Sequence, residues 1–194
     1  MQNVYKRACK PLFAPVPVYQ PIEKPELKKN SIVSVHFSTE CHVTPDQLSH
    51  ELVNFAIDAG ANIDSGYWCD PQAGTGQIIN AMLVAGVSNV VAIEREYSLV
   101  NCLMDRFECN VDIRHIDCFD LPLKVDVIIA NHPFKKVKGF FMDAISKLND
   151  GGIYVGIVPK SFEYDGTIKL LDLGFDTFET AKVLTKVILF KKTE

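Results

Sequence analysis

Tyr67-Trp68-Cys69-Asp70-Pro71-Gln72-Ala73-Gly74-Thr75-Gly76 runs from a short apolar strand, through a glycine-bearing turn, into an apolar helix over residues 77–86. Glycines at 74 and 76 let a backbone approach a ligand closely, at the carboxyl edge of a sheet, where open α/β proteins bind their ligands. Glu94 lies 18 positions beyond Gly76, at the tip of the next apolar strand, Val90-Val91-Ala92-Ile93. A carboxylate there can accept both hydroxyls of a ribose. Ile79 stands where a third fingerprint glycine would be, which argues against a pyrophosphate cofactor.

Upstream of this turn, Thr44-Pro45-Asp46-Gln47 reads as a helix start. Thr44 caps, Pro45 suits the first turn, Asp46 meets the positive dipole end and Gln47 completes a capping box. Leu48, Leu52, Phe55, Ala56 and Ala59 then recur at helical spacing until Gly60. Downstream the chain alternates. Residues 97–108 read as a helix, 111–116 as a strand and 125–130 as a fourth, fully apolar strand. A helix over 138–148, a strand over 153–158, a short helix over 165–173 and strands over 177–181 and 186–191 complete the set. Unbroken apolar strands alternating with helices predict an α/β, Rossmann-like, doubly wound sheet of seven strands. It should be mostly parallel, with an antiparallel last strand, because the final two strands leave no room for a crossover helix.

Five of the ten prolines fall within residues 1–30, which carry a net charge of +4 against −8 for the remainder. The prolines fix φ and remove donors, so residues 1–30 read as a basic, extended arm and residues 31–194 as one domain. No apolar run reaches the roughly 20 residues that a membrane span needs. The first residues lack the apolar stretch of a secretory signal, so a cytoplasmic protein without a membrane partner is expected. The six cysteines are scattered, with no C-x-x-C pair and no clustered histidines, so no metal is expected.

Two further strand ends carry polar groups. Ile116-Asp117-Cys118-Phe119 places a carboxylate where it could accept an adenine amino group, or serve as an ordinary solvated cap. Asp126–Ala130 leads into Asn131-His132-Pro133-Phe134, where a buried strand ends in an amide, a proline and an aromatic ring. Asn131 can accept a hydrogen bond from an amino group, and Phe134 offers a face to a flat base.

Taken together, these residues resemble the class I S-adenosylmethionine (SAM)-dependent methyltransferases, and within them the N6-adenine DNA methyltransferase branch. The likeness covers about 150 residues and rests on Thr44-Pro45, Asp-Pro-x-x-Gly-x-Gly (70–76), Glu94, Asp117, Asn-x-Pro-Phe (131–134) and Leu-x-x-Gly-Gly (148–152). It implies SAM as cofactor, contacted by Thr44, Asp70, Pro71, Gly74, Gly76, Glu94, Asp117 and Cys118. Of these, Asp70, Gly74 and Gly76 would hold the methionine end, Glu94 the ribose and Asp117 the adenine. It further implies catalytic roles within Asn131, His132, Pro133 and Phe134. Asn131 and the carbonyl of His132 would grip the target amine, and Phe134 would stack on the base. The implied partner is nucleic acid, DNA ahead of RNA. Alternatives are RNA adenine, a protein glutamine amide, or a non-catalytic SAM-binding accessory or antirestriction protein. His132 departs from the family pattern, which has proline there: the ring lock is lost and an imidazole is added near the substrate. No insertion is large enough for a target-recognition domain.

Overall fold

The structure, a computed structural model, describes residues 42–107 and 110–193. The Pro-rich arm, Cys9, Cys41 and Cys109 lie outside the described residues. Helices α1 (Asp46–Asp58), α2 (Gln77–Val84), α3 (Tyr97–Phe107) and α4 (Val137–Ser146) accompany seven strands. These are β1 (Trp68–Asp70), β2 (Val90–Glu94), β3 (Asp112–His115), β4 (Val125–Asn131), β5 (Leu148–Pro159), β6 (Thr167–Leu173) and β7 (Thr185–Lys191). They form one sheet in the order β3-β2-β1-β4-β5-β7-β6. β1 to β5 are parallel to one another, and β7 runs antiparallel to both β5 and β6.

Every residue of β2 is buried, as is most of β4, because a parallel sheet covered on both faces has no wet side. One face packs Leu48, Leu52, Ile79, Met82, Leu103 and Phe107, from α1, α2 and α3, over Trp68, Ala92, Ile129 and Val155. The other packs Phe141, Ala144 and Ile145 of α4 over Val91, Ile128, Ala130 and Ile188.

Three readings of the sequence are corrected. Residues 165–173 are not a helix: they contain the edge strand β6, and Thr177–Ala181 forms a loop instead of a strand. The chain therefore crosses from β5 to β6 without a helix. Residues 160–166 make the crossing, and Phe162 and Tyr164 from that stretch pack edge-on against Phe141. Finally, Thr44 does not cap α1. Pro45 occupies that position with no side-chain cap, and Ser49 N–H donates to the Pro45 carbonyl at 2.9 Å. The hydroxyl of Thr44 is used elsewhere.

The order of strands fixes where a ligand can sit. The chain builds outward from β1 through β2 to β3, then returns to the other side of β1 as β4, so the switch point lies between β1 and β4. Asp70 ends β1, Glu94 ends β2 and Asn131 ends β4. Among the described residues, no helix is long and apolar enough to cross a membrane, and no group of three or more His, Cys, Asp or Glu residues could hold a metal ion.

Candidate active site

A cleft of about 850 Å³, its solvent-facing mouth included, opens at that switch point. Its lining contains Thr44, Asp70, Pro71, Gly74, Glu94, Asp117, Cys118, Asn131 and Pro133. Three of the residues singled out from the sequence, Gly76, His132 and Phe134, do not line it. Others that the sequence reading assigned no role also line it, among them His42, Gln72, Arg95, Leu99, Ile116 and Phe140.

The glycine turn is held from both sides. Gly74 N–H donates to Glu94 Oε2 at 2.9 Å, while the N–H groups of Arg95 and Glu96 each donate to Glu94 Oε1 at 2.8 Å. Glu94 is thus the fastener of the turn as well as a carboxylate in the cleft wall. Arg106 of α3 adds a bond to the Thr75 carbonyl at 2.7 Å. Three backbone donors lose their acceptor in Glu94→Ala: the Gly74 N–H is buried, and such an orphan costs about 1–3 kcal/mol, while the part-buried N–H groups of Arg95 and Glu96 cost less because water reaches them. The variant should therefore lose about 2–4 kcal/mol of stability without ligand, in addition to weaker ligand binding. Thermal unfolding of the apoprotein reads this, and an unchanged midpoint would leave Glu94 a ligand contact alone.

Packing alone requires glycine at position 76. Its φ is 85°, and a Cβ there would sit 2.5 Å from Phe107 Cε2 and 2.8 Å from Leu103 Cδ2, both on α3. Left-handed backbone and overpacking each cost a non-glycine residue about 1–3 kcal/mol, so Gly76→Ala should destabilise by about 2–5 kcal/mol in urea titration. A change below about 0.5 kcal/mol, the scatter of an ordinary surface substitution, would show that α3 yields freely.

Electrostatics divide the cleft. Burial, with a smaller push from Glu94, raises the Asp70 carboxyl to about 7, although the Gln72 N–H donates to it at 3.1 Å. Burial also pushes Asp117 upward, but bonds from the Phe119 N–H and Cys118 thiol, with the nearby Arg95, outweigh it and hold that carboxyl below its usual range. Asp117 is both a cap for the turn Cys118–Asp120 and part of the cleft wall. Burial raises both Cys69 and Cys118, the latter to about 12, so neither supplies a thiolate near neutral pH.

At the tip of β4, Asn131 Nδ2 donates to the His42 carbonyl at 3.0 Å and to Thr44 Oγ1 at 3.1 Å. A carbonyl can only accept, so the amide nitrogen must face it. That orientation leaves Asn131 Oδ1 as the acceptor, buried and with no partner among the described residues. Thr44 Oγ1, which accepts from Asn131, is the hydroxyl that the capping-box reading assigns to α1.

The motif's other two side chains are placed differently from expectation. The His132 imidazole does not reach the cleft. It is 1% exposed and lies between Phe140 (ring centroids 5.5 Å apart, 17° between planes) and Tyr154 (6.0 Å, 21°). Burial lowers it to about 3, so it stays neutral across the physiological range. The Phe134 ring is covered by His42, stacked at 5.4 Å and 21°, and meets Phe178 edge-on at 5.8 Å. His42 Nδ1 in turn contacts Thr180 Oγ1 at 2.8 Å. Neither His42–Thr180 nor Gln72–His132 has a local sequence signal, since the partners are separated by 138 and 60 residues.

No protein-family model matches the chain. The chain is 27% identical over 198 aligned residues to the ribosomal protein L11 methyltransferase of Carboxydothermus hydrogenoformans, an alignment that takes in 92% of this chain and 62% of that protein. The chain thus spans about three-fifths of that relative's length. Among solved structures, the proposed RNA methyltransferase PH1948 of Pyrococcus horikoshii superposes with a TM-score of 0.69 at 19% identity, covering 83% of this chain and 91% of that one. An RNA methyltransferase of Salinibacter ruber, solved with S-adenosyl-L-homocysteine, superposes with a TM-score of 0.60 at 16% identity, covering 78% and 94%. Strand order, the antiparallel β7 and these superpositions agree: the chain has the class I SAM-dependent methyltransferase fold.

Proposed function

We propose that the chain is a SAM-dependent methyltransferase acting on an exocyclic amino group, with adenine N6 in nucleic acid as the target. The single observation that carries this is Asn131. Its Nδ2 is engaged by two acceptors, its Oδ1 is left as an unpartnered buried acceptor, and it lies at the switch-point cleft beside Asp70 and Glu94. In this reading SAM occupies that cleft, where Asp70 would meet the positive charge of the methionine end, Glu94 the ribose and Asp117 the adenine, since all three line it.

An aryl amine is a poor nucleophile because its lone pair is delocalised into the ring. An acceptor aimed at its hydrogens, Asn131 Oδ1, favours a pyramidal nitrogen and frees that lone pair. SAM supplies an electrophilic sulfonium methyl, and the chain's contribution is to hold the amine in line with it. Positioning of this kind supplies most of the rate. The carbonyl of His132 is the second acceptor in this reading, and Pro133 restrains it toward extended geometry.

Lys135, Lys136 and Lys138 follow the motif directly and are exposed, which suits a polyanionic target. Residues 1–30 are also basic in sequence, with a net charge of +4. RNA is tested beside DNA because two of the superposing enzymes are named for RNA. Tritiated SAM with DNA, RNA and protein in parallel is the deciding experiment. Label in a nucleic acid, recovered as N6-methyladenine, supports the proposal. Label in protein alone would replace adenine by a glutamine amide, and SAM binding without transfer to any substrate would make the chain an accessory protein.

A further inference from the structure

We propose that His132 and Gln72 form a strut that couples cofactor occupancy to the geometry of the Asn131–Phe134 motif. The proposal rests on the methyltransferase reading above, in that it takes the 70–76 turn as the cofactor side and the end of β4 as the target side.

His132 occupies a position where the resembled family has proline. A proline would fix its own φ covalently and reach nothing else. His132 is fixed instead by its surroundings, stacked between Phe140 and Tyr154 and bonded through Nδ1 to Gln72 Oε1 at 2.6 Å. With Gln72 Oε1 as acceptor, Nδ1 carries the proton and Nε2 is a bare acceptor. Nε2 has no partner among the described residues, and a buried orphan acceptor is more readily tolerated than a buried orphan N–H. The imidazole therefore has one polar contact described, and that contact is with the cofactor turn.

Gln72 completes the connection. Its backbone N–H donates to Asp70 Oδ1 at 3.1 Å, and its side chain holds His132. A cationic ligand group drawn to Asp70 changes the charge and position of the carboxylate that orients Gln72. Gln72 passes that change to the His132 side chain, and the His132 backbone sits between the Asn131 acceptor and Pro133. The strut is thus a positioning device that a proline at 132 would lack. Phe140 is shared by both parts, since it stacks on His132 and lines the cleft.

Amide hydrogen exchange over the segment 130–137, with and without saturating S-adenosylhomocysteine, tests this without requiring any methyl acceptor. In the wild type, the ligand should slow exchange of this segment by about tenfold, within the usual range of intersite coupling. Gln72→Leu removes the acceptor, and His132→Phe keeps the stacked ring but removes the donor. Each, measured at saturating ligand, should reduce the slowing to about twofold or less. His132→Asn restores an N–H near the Nδ1 position and should recover part of it. Wild-type slowing in both Gln72→Leu and His132→Phe would overturn the proposal, as would no slowing in the wild type. Methyl transfer measured alongside separates the two claims. A wild type that shows the coupled slowing but methylates nothing keeps the strut and loses the activity. A wild type that methylates adenine without the slowing keeps the activity and loses the strut.

Discussion

Asn131→Ala should lower the rate of methyl transfer by about 10²–10³-fold while leaving the dissociation constant for S-adenosylhomocysteine within about twofold, since losing one transition-state acceptor or donor costs rates of that order. The amide would meet the amine and not the cofactor, so its loss falls on the chemical step. The structure adds a second consequence. Asn131 Nδ2 ties the His42 carbonyl and Thr44 Oγ1 to β4, so alanine also releases the segment that leads into α1. A stability loss of about 1–2 kcal/mol should accompany the rate loss. Asn131→Asp separates the two effects. It keeps an acceptor oxygen but cannot donate to the His42 carbonyl, so it should share the loss of stability and retain more activity than alanine. Wild-type transfer in Asn131→Ala would remove the catalytic assignment and leave the fold alone.

Strand ends were the legible part of this chain. The apolar run 125–130, the turn at 70–76 and the acidic residue ending β2 each announce themselves within a few residues, because a buried parallel strand must end in a polar group at the ligand edge. β6 was misread for a local reason. Its register shifts between Lys169 and Leu171, so Leu170 and Leu171 both pack toward the core while Ile168 stays 59% exposed. That irregularity destroys the period-two alternation by which a strand is recognised, and three leucines over four positions then resemble a helical stripe. Thr177–Ala181 failed differently. Phe178 and Ala181 are buried, but at a spacing of three rather than a strand's two, and the segment joins no ladder. Cleft-lining positions were legible where a strand end places them. The packing demand at Gly76 is invisible in the sequence, which cannot show Phe107 and Leu103 arriving from α3. His132 looked like a substrate contact because nothing near it in sequence reveals Gln72, Phe140 and Tyr154 closing around its ring.

Asp70→Asn should both weaken cofactor binding and remove a pH dependence of stability that the wild type carries. Burial, the main cause, pushes the Asp70 carboxyl in the folded protein up to about 7 from its ordinary value of 3.8. Between about pH 4 and 7 the folded state therefore keeps a proton that the unfolded state has released, and stability falls as pH rises through that window before levelling off above it. Three units at about 1.4 kcal/mol each set an upper figure of about 4 kcal/mol for this loss. Asparagine is neutral at every pH and can still accept the Gln72 N–H. The variant's unfolding midpoint should thus lose this slope between pH 5 and 8 and exceed the wild type at pH 8 by about 5–10 °C. Ligand binding should move the other way. The carboxylate is the form that would attract the positive methionine end, so wild-type affinity for S-adenosylhomocysteine should strengthen by up to about tenfold per unit as pH rises toward 7, then level off. Asp70→Asn should bind about 10–100-fold more weakly at pH 8 and show no such rise, the range expected for losing a charged hydrogen bond. Calorimetric titration at pH 5.5, 6.5 and 8, beside thermal unfolding at the same values, reads both effects. A variant that is no more stable than wild type at pH 8 would show that Asp70 is ionised at little cost, with water or an unseen partner solvating it. A variant that binds the ligand as tightly as wild type would place the methionine end elsewhere in the cleft.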